Sequence, residues 1–181
     1  MADYCSQPEA HLIFTYGTLK HGFPNYPLME SLIQRNDAVF LGPHVTLRSY
    51  PLVCGPHGIP FLINLPGSGH RITGELYSVS TCGLARLEEL EGTALGHYER
   101  LPIQVVSSGN ANAEDGIVPM EAEAYYAHRS FGESLWERKG REGLSEYTKR
   151  ETSEYVGRAQ RPLGRSFLDE VQLFVYSAAE N

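Results

Sequence analysis

Short apolar runs separated by glycine, proline, asparagine and serine occupy most of the first two thirds of the chain, a pattern that predicts β-strands. We expect the strands at residues 11–16, 38–47, 51–55, 59–65, 72–79, 98–107 and 120–128. Helical periodicity is confined to shorter pieces, at 27–35, at 81–90, around Trp136 and at 145–155. Because strands predominate and the helices are short, the pattern predicts a mixed, barrel-like α+β fold.

The composition changes twice along the chain. Residues 107–116 lack large apolar side chains and separate two predicted strands, so we expect a mobile surface insertion near 107–118. After Phe131 the chain becomes strongly charged and keeps only isolated apolar residues, which is typical of helices that wrap a core. We therefore expect one domain over 10–130 and a charged extension over 131–181 that packs on it.

The overall composition narrows the classes of partner. The 181 residues are 41% hydrophobic and 20% charged, which is typical of a protein with one sizeable core. A formal net charge of -7, with no basic cluster among aromatic residues, argues against nucleic acid. No basic leader and no apolar stretch of bilayer length is present, so we expect no membrane attachment and a cytoplasmic location. A small molecule is the expected partner, and a monomer the expected state.

Neither the cysteines nor the histidines follow a recognisable metal-binding pattern. Cys5, Cys54 and Cys82 are widely spaced, which favours reduced thiols. His57 and His70 lie in separate glycine-rich turns and no His-x-x-x-His pair is present, so we expect no metal. Acyl transfer through Cys54 or Cys82 stays open as an alternative, although neither thiol has a recognisable activating neighbour.

The first predicted strand ends in the run Tyr16-Gly17-Thr18-Leu19. Gly17 permits positive φ and a close approach of the backbone, so that successive N–H groups can converge on one ligand oxygen. The run lacks the glycine spacing of phosphate-binding and dinucleotide-binding loops and indicates no nucleotide. An ordinary junction of strand and loop explains the run as well, so its residues alone leave the anion site open.

One carboxylate of the predicted helix at 81–90 lies on the face of its leucines. With Thr81 as its expected cap and Gly92 as its end, the helix places Glu91 roughly 20° from Leu84 around its axis, at about 100° per residue. Glu89 lies roughly 140° from Leu84 on the same count and faces away. A carboxylate directed at an apolar face has a raised pKa when burial dominates, which favours a proton acceptor near neutral pH.

The residues that follow this helix allow two environments for the Glu91 carboxylate. An ion pair with Arg100, or a turn into solvent, would leave Glu91 an ordinary carboxylate of low pKa. An apolar pocket that offers only hydroxyl groups, such as that of Tyr98, would leave it basic. The two environments therefore differ in the direction of the pKa shift, and the local pattern does not choose between them.

Several motifs in this order resemble those of the γ-glutamylamine cyclotransferase family, including its plant avirulence-induced-gene-like branch. They are Tyr16-Gly17-Thr18-Leu19-Lys20, Tyr50-Pro51-Leu52-Val53, the run from Ile59 to Gly69, the run from Gly74 to Val79, and Glu91 with Tyr98-x-Arg100. The resemblance covers roughly residues 11–130. It implies a small β-barrel with flanking helices and a reaction without cofactor or metal.

The resemblance also implies roles for individual residues. Tyr16, Gly17, Thr18 and Leu19 would bind a γ-glutamyl group, and Glu91 would be the catalytic acid and base. Two further tyrosines, Tyr98 and Tyr126, match aromatic positions near the family's substrate cavity.

The implied reaction is intramolecular. The α-amino group of a γ-glutamyl amine or γ-glutamyl amino acid attacks its own γ-carbonyl, which closes 5-oxoproline and expels the amine without a protein nucleophile. The spacer 92–97 is longer than in animal relatives and lacks their cysteine-proline pair, so the sequence does not identify the leaving amine. A catalytically silent binding or regulatory module on the same fold stays open as the main alternative.

Overall fold

The computed structural model describes residues 9–111 and 116–177. Its strands are β1 (His11–Thr15), β2 (Ala38–Tyr50), β3 (Leu52–Cys54), β4 (Pro60–Leu62), β5 (His70–Val79), β6 (Tyr98–Ser107) and β7 (Met120–Ala127). Its α-helices are α1 (Tyr26–Gln34), α2 (Thr81–Glu91), α3 (Gly132–Arg138), α4 (Lys149–Thr152) and α5 (Phe167–Tyr176). Each of the seven strands coincides with a strand that the hydrophobic pattern predicts, within a few residues at the ends.

Five strands close into a barrel in the order β1-β5-β2-β6-β7, because β7 pairs back to β1. The β1–β7 contact is parallel, and the other four contacts around the barrel are antiparallel. Strand β4 adds to β7 in parallel and carries β3 along its outer edge. The expected small mixed β-barrel with short flanking helices is therefore confirmed.

The edge of β7 is divided between two partners. Strand β6 pairs along one side of β7, so β1 and β4 share the other side. Strand β1 pairs at Ile13 with Glu123, and β4 pairs three residues later, at Leu62 with Tyr126. Beyond the end of β1, the same edge of β7 therefore pairs with β4 instead. The barrel wall has a gap between the end of β1 and the start of this pairing.

Two layers of apolar side chains hold the fold together. One cluster lies inside the barrel and includes Phe14, Leu76 and Tyr126. The other lies between the barrel and the helices and includes Leu87 of α2 and Val171 of α5, both fully buried. Successive residues of a strand face opposite sides, so neighbours in β7 belong to different layers.

The C-terminal third departs from the predicted helices. The helix expected over 145–155 is only the single turn α4, whereas α5 was not predicted as a separate element. Its signal is a capping box, in which Ser166 and Asp169 bond each other's backbone N–H, followed by the buried Val171. In the predicted insertion at 107–118, residues 108–110 form a 3₁₀ turn, and residues 112–115 lie outside the described part.

Across the described ranges, no helix is long and apolar enough to cross a bilayer.

Candidate active site

A cavity of about 110 Å³ lies at the gap between β1 and β4. Three parts of the chain that are distant in sequence form most of its wall: the loop after β1, the end of α2 with the start of β6, and the segment 155–167. Ile59 and Pro60 at the start of β4, together with Asn25 and Tyr125, complete it. Of the predicted site residues, the wall contains Tyr16, Gly17, Thr18, Leu19, Glu91 and Tyr98. Folding therefore brings the loop and the helix-borne carboxylate of the sequence prediction to one cavity.

The loop after β1 presents unused hydrogen-bond donors. Two of its carbonyl groups are occupied, since Gly17 O accepts from the Lys20 amide at 3.2 Å and Thr18 O accepts from the Asn25 amide at 2.9 Å. The amides of Gly17, Thr18 and Leu19 donate to no acceptor among the described residues. Three successive free amides on a cavity wall are suited to a carboxylate or a developing oxyanion.

Close packing explains the glycine in this loop. Positive φ was expected to be part of its role, but Gly17 does not adopt it. A Cβ atom at Gly17 would instead lie 2.6 Å from Cγ of Pro60, the first residue of β4. The backbone of the loop thus approaches β4 so closely that a side chain would displace one of them.

Gly17→Ala should therefore destabilise the fold by about 1–3 kcal/mol, the usual cost of overpacking. Denaturant-induced unfolding of the variant and of the wild type measures this difference. Gly109→Ala is the matched control, because no atom lies within 4 Å of the added Cβ and φ at Gly109 is not positive. Equal losses in the two variants would contradict the close-packing explanation.

Local signals at both ends of α2 fix its length. The cap is Ser80, whose hydroxyl accepts from the Gly83 amide at 3.0 Å, so the expected cap at Thr81 is wrong by one residue. Gly92 ends the helix in the left-handed region at φ 62°, as the sequence predicts. The helix therefore stops directly after Glu91.

Glu91 lies on the face of α2 that the sequence predicts, the face of the buried leucines. Leu84 and Leu87 are buried in the layer between the barrel and the helices, and Glu91 borders the cavity on the same side of α2. Glu89 is exposed on the opposite side. The 100° periodicity thus places one of these two carboxylates in the cavity and the other in solvent.

The carboxylate of Glu91 is largely buried, and part of its side chain is exposed at the cavity. No group in the described ranges donates a hydrogen bond to this carboxylate or forms an ion pair with it. Burial, with a smaller contribution from the charge of Glu88, raises the pKa of Glu91 to about 8. Arg100 does not offset this effect, because it pairs at 2.6 Å with each of Glu88 and Glu123. The alternative of a Glu91–Arg100 ion pair is therefore wrong, and the pKa of Glu91 is raised rather than lowered.

Three tyrosines border the cavity near Glu91. The Tyr98 hydroxyl donates to the Pro60 carbonyl at 3.0 Å, and the Tyr16 hydroxyl donates to the Tyr125 carbonyl at 2.5 Å. Neither hydroxyl therefore donates a hydrogen bond to Glu91, so the contact between Tyr98 and Glu91 that the sequence allows does not form. Burial is the main cause of a raised pKa in all three phenols, and the Glu91 charge adds to each. The Tyr125 hydroxyl is buried without a hydrogen-bond partner in the described part of the chain.

Tyr126 does not lie on the cavity wall, unlike the expectation from the family resemblance. It is fully buried inside the barrel, where its hydroxyl donates to the Pro102 carbonyl at 3.1 Å. Its neighbour Tyr125 lines the cavity instead. The reason is the alternation of β7, in which one step along the strand moves a side chain to the other face.

Sequence reasoning missed the third part of the wall, which comes from the C-terminal segment. Its cavity residues are Tyr155, Arg158, Arg161 and Phe167. The Phe167 ring packs on His97, with ring centroids 4.1 Å apart. Isolated residues in a charged stretch carry no motif, so no local signal assigns them to a site at the opposite end of the chain.

The cysteines do not offer an activated nucleophile at this cavity. Burial raises the pKa of the Cys54 thiol to about 11, which disfavours its reactive thiolate. Cys82 is disulfide-bonded, so the expectation of a reduced thiol there is wrong. Neither residue lines the cavity. Within residues 9–111 and 116–177, no group of three or more His, Cys, Asp or Glu side chains is placed to hold a metal ion.

Comparison with known proteins gives one consistent result. Residues 13–149 match the family model described as γ-glutamyl cyclotransferase, AIG2-like. The chain is 49% identical over 175 residues to an Arabidopsis thaliana protein named "Putative gamma-glutamylcyclotransferase", a match that covers 93% of this chain and 94% of the relative. It is 35% identical over 127 residues to the human γ-glutamylaminecyclotransferase, covering 69% of this chain and 82% of the human protein.

A solved structure agrees with these matches. The crystal structure of an AIG2-like protein from Mus musculus superimposes with a TM-score of 0.54 at 36% identity, covering 65% of this chain and 77% of the mouse chain. The family model ends at residue 149, so the wall segment 155–167 lies beyond it.

Proposed function

This chain belongs to the γ-glutamyl cyclotransferase, AIG2-like family, and on that premise we propose that it converts a γ-glutamyl amine or γ-glutamyl amino acid to 5-oxoproline and a free amine. The observation that carries the proposal is the buried, unpaired Glu91 carboxylate in the same cavity as the free amides of residues 17–19. The proposal includes a monomeric, cytoplasmic enzyme that acts on a small molecule without a cofactor.

In the proposed reaction, the loop holds the γ-glutamyl group. Its three free amides bind the α-carboxylate of the substrate or the oxygen of the γ-carbonyl, where negative charge develops during attack. The close contact between Gly17 and Pro60 keeps the loop backbone in place, so little rearrangement is needed when the substrate binds.

Glu91 moves the protons. Its carboxylate takes a proton from the substrate ammonium, and the free amine then attacks the γ-carbonyl carbon, forming the C–N bond of the five-membered ring. As the original amide C–N bond breaks, Glu91 returns the proton to the leaving nitrogen. The ring amide keeps one hydrogen, so the second proton of the attacking nitrogen also passes to the expelled amine, which leaves as an ammonium ion. A pKa of about 8 suits both steps, because the same group must accept a proton from an ammonium and release it to an amine.

The test is to incubate the purified protein with a panel of γ-glutamyl amines and γ-glutamyl amino acids and to quantify 5-oxoproline between pH 5 and 9. We expect turnover, with kcat/KM rising as Glu91 loses its proton, half-maximal at its pKa of about 8 and levelling off above it. A flat profile over this range would contradict the assignment of Glu91 as the base. Binding of panel compounds without any 5-oxoproline would favour the silent binding module instead.

A further inference from the structure

Two arginines of the C-terminal segment border the cavity without a carboxylate partner among the described residues. Arg158 and Arg161 both line the wall. The described arginines that form ion pairs are Arg100, Arg129 and Arg141. Both guanidinium groups at the cavity are therefore available to an anion.

Hydrogen bonds fix one of the two in position. Arg161 donates from Nε to the Val156 carbonyl at 2.8 Å and from Nη2 to the Tyr155 hydroxyl at 3.4 Å. That hydroxyl also accepts from Asn25 Nδ2 at 3.2 Å, and Asn25 Nδ2 donates to Thr18 Oγ1 at 2.8 Å. The segment is thus tied across the cavity to the substrate loop, and Arg161 keeps further N–H groups unused.

The charge of the wall is opposite to that of the chain. The whole sequence carries a formal charge of -7, yet the described part of the cavity wall contains two arginines and a single carboxylate, Glu91. His97, which also lines the cavity, packs against Phe167. Burial of His97 and the nearby charge of Arg158 both lower the pKa of this histidine. The cavity therefore favours a ligand with a net negative charge.

The donors that the cavity already has indicate which part of the substrate this charge meets. Three loop amides provide donors for the γ-glutamyl group, so the arginines are left for a second anionic group of the substrate. In a γ-glutamyl amino acid, a second carboxylate lies one carbon from the nitrogen that leaves. Planar guanidinium groups bind such a carboxylate through paired, charge-assisted hydrogen bonds.

We propose that Arg158 and Arg161 form a subsite for a carboxylate on the leaving amine, so that γ-glutamyl amino acids are preferred over γ-glutamyl derivatives of uncharged amines. This subsite rests on the proposed function, since it presumes a γ-glutamyl substrate in the cavity. It also assigns a role to the segment that lies beyond the family match.

The experiment compares γ-glutamylalanine with γ-glutamylethylamine, which differ only in the carboxylate. We expect the wild type to prefer γ-glutamylalanine at least about tenfold in kcat/KM, as for a charged hydrogen bond. Arg158→Gln and Arg161→Gln should each lower this preference several-fold, mainly through the KM for γ-glutamylalanine. Arg165→Gln, at an exposed position of the same segment outside the cavity, is the matched control and should keep the wild-type preference.

Two precautions keep the outcomes distinct. The Arg161 side chain also bonds the backbone of its own segment, whereas the Arg158 side chain makes no hydrogen bond in the described part, so Arg158→Gln removes charge without removing a side-chain hydrogen bond. Binding of both compounds is measured by calorimetry on the Glu91→Gln protein, with and without Arg158→Gln, so that discrimination is read even in the absence of turnover.

Equal losses on both compounds would place the arginines at the shared γ-glutamyl group and would overturn the subsite. The absence of any preference in the wild type would overturn it as well. If neither compound yields 5-oxoproline, the proposed function fails for these compounds. Calorimetry then decides the subsite by itself: tighter binding of γ-glutamylalanine that Arg158→Gln removes supports it, and equal or absent binding overturns it.

Discussion

Glu91→Gln is expected to reduce 5-oxoproline formation by at least about a thousandfold, since general acid–base catalysis contributes roughly 10²–10⁴-fold and this one group serves both proton transfers. The amide of glutamine has nearly the same shape but neither accepts nor returns a proton at neutral pH. The measurement is kcat on the best substrate of the panel, with far-UV circular dichroism to establish that the variant is folded.

Glu89→Gln provides the matched control for this experiment. It removes the same charge from the same helix, but from an exposed side chain on the face away from the cavity. We expect it to keep wild-type turnover. Full activity in Glu91→Gln would remove Glu91 from the mechanism, and equal losses in the two variants would assign the effect to the charge of α2 rather than to the buried carboxylate.

The second large effect is on stability. The pKa of Glu91 is about 8 in the folded protein and 4.5 as the ordinary value, so folding favours its protonated form. The stability that the protonated group provides is complete below pH 4.5 and is lost as the pH rises towards 8. Relative to Glu91→Gln, the free energy of unfolding of the wild type should fall by about 3 kcal/mol between pH 4.5 and 7.

Urea unfolding of both proteins at a series of pH values measures this difference. Glu89→Gln should run parallel to the wild type, because its side chain lies in solvent on the opposite face of α2. A constant difference between wild type and Glu91→Gln across pH 4.5–8 would contradict the buried, unpaired state of Glu91. If the free energy of unfolding falls with pH as predicted and Glu91→Gln loses turnover, one ionised group both lowers the stability of the fold and catalyses the reaction.

The strands and the face of Glu91 were predictable because their signals are local. Alternating and continuous apolar runs between turn residues located each of β1 to β7, and the 100° step of the helix set Glu91 beside Leu84. Gly92 marked the end of α2 for a similar reason, since a left-handed residue is required there. Short, irregular pieces such as α4 were less predictable, because a single turn carries too few periodic positions.

Errors concentrated where the outcome depended on contacts between distant residues. Arg100 had Glu91 as a candidate partner nearby, but the register of β6 on β7 brings it to Glu123, and the helix brings it to Glu88. Tyr126 matched the family pattern, but the closure of the barrel turned it inward and left Tyr125 on the cavity.

By itself, the sequence determined the β-rich pattern, the turn after β1 and a carboxylate on the apolar face of a helix, since backbone geometry repeats over a few residues and local side chains suffice to express it. Only the tertiary structure decided that Glu91 stays unpaired, that Gly17 meets Pro60, and that Arg158 and Arg161 complete the wall. These outcomes depend on charges and surfaces far apart along the chain, which meet only after the barrel closes and the C-terminal segment packs across its gap.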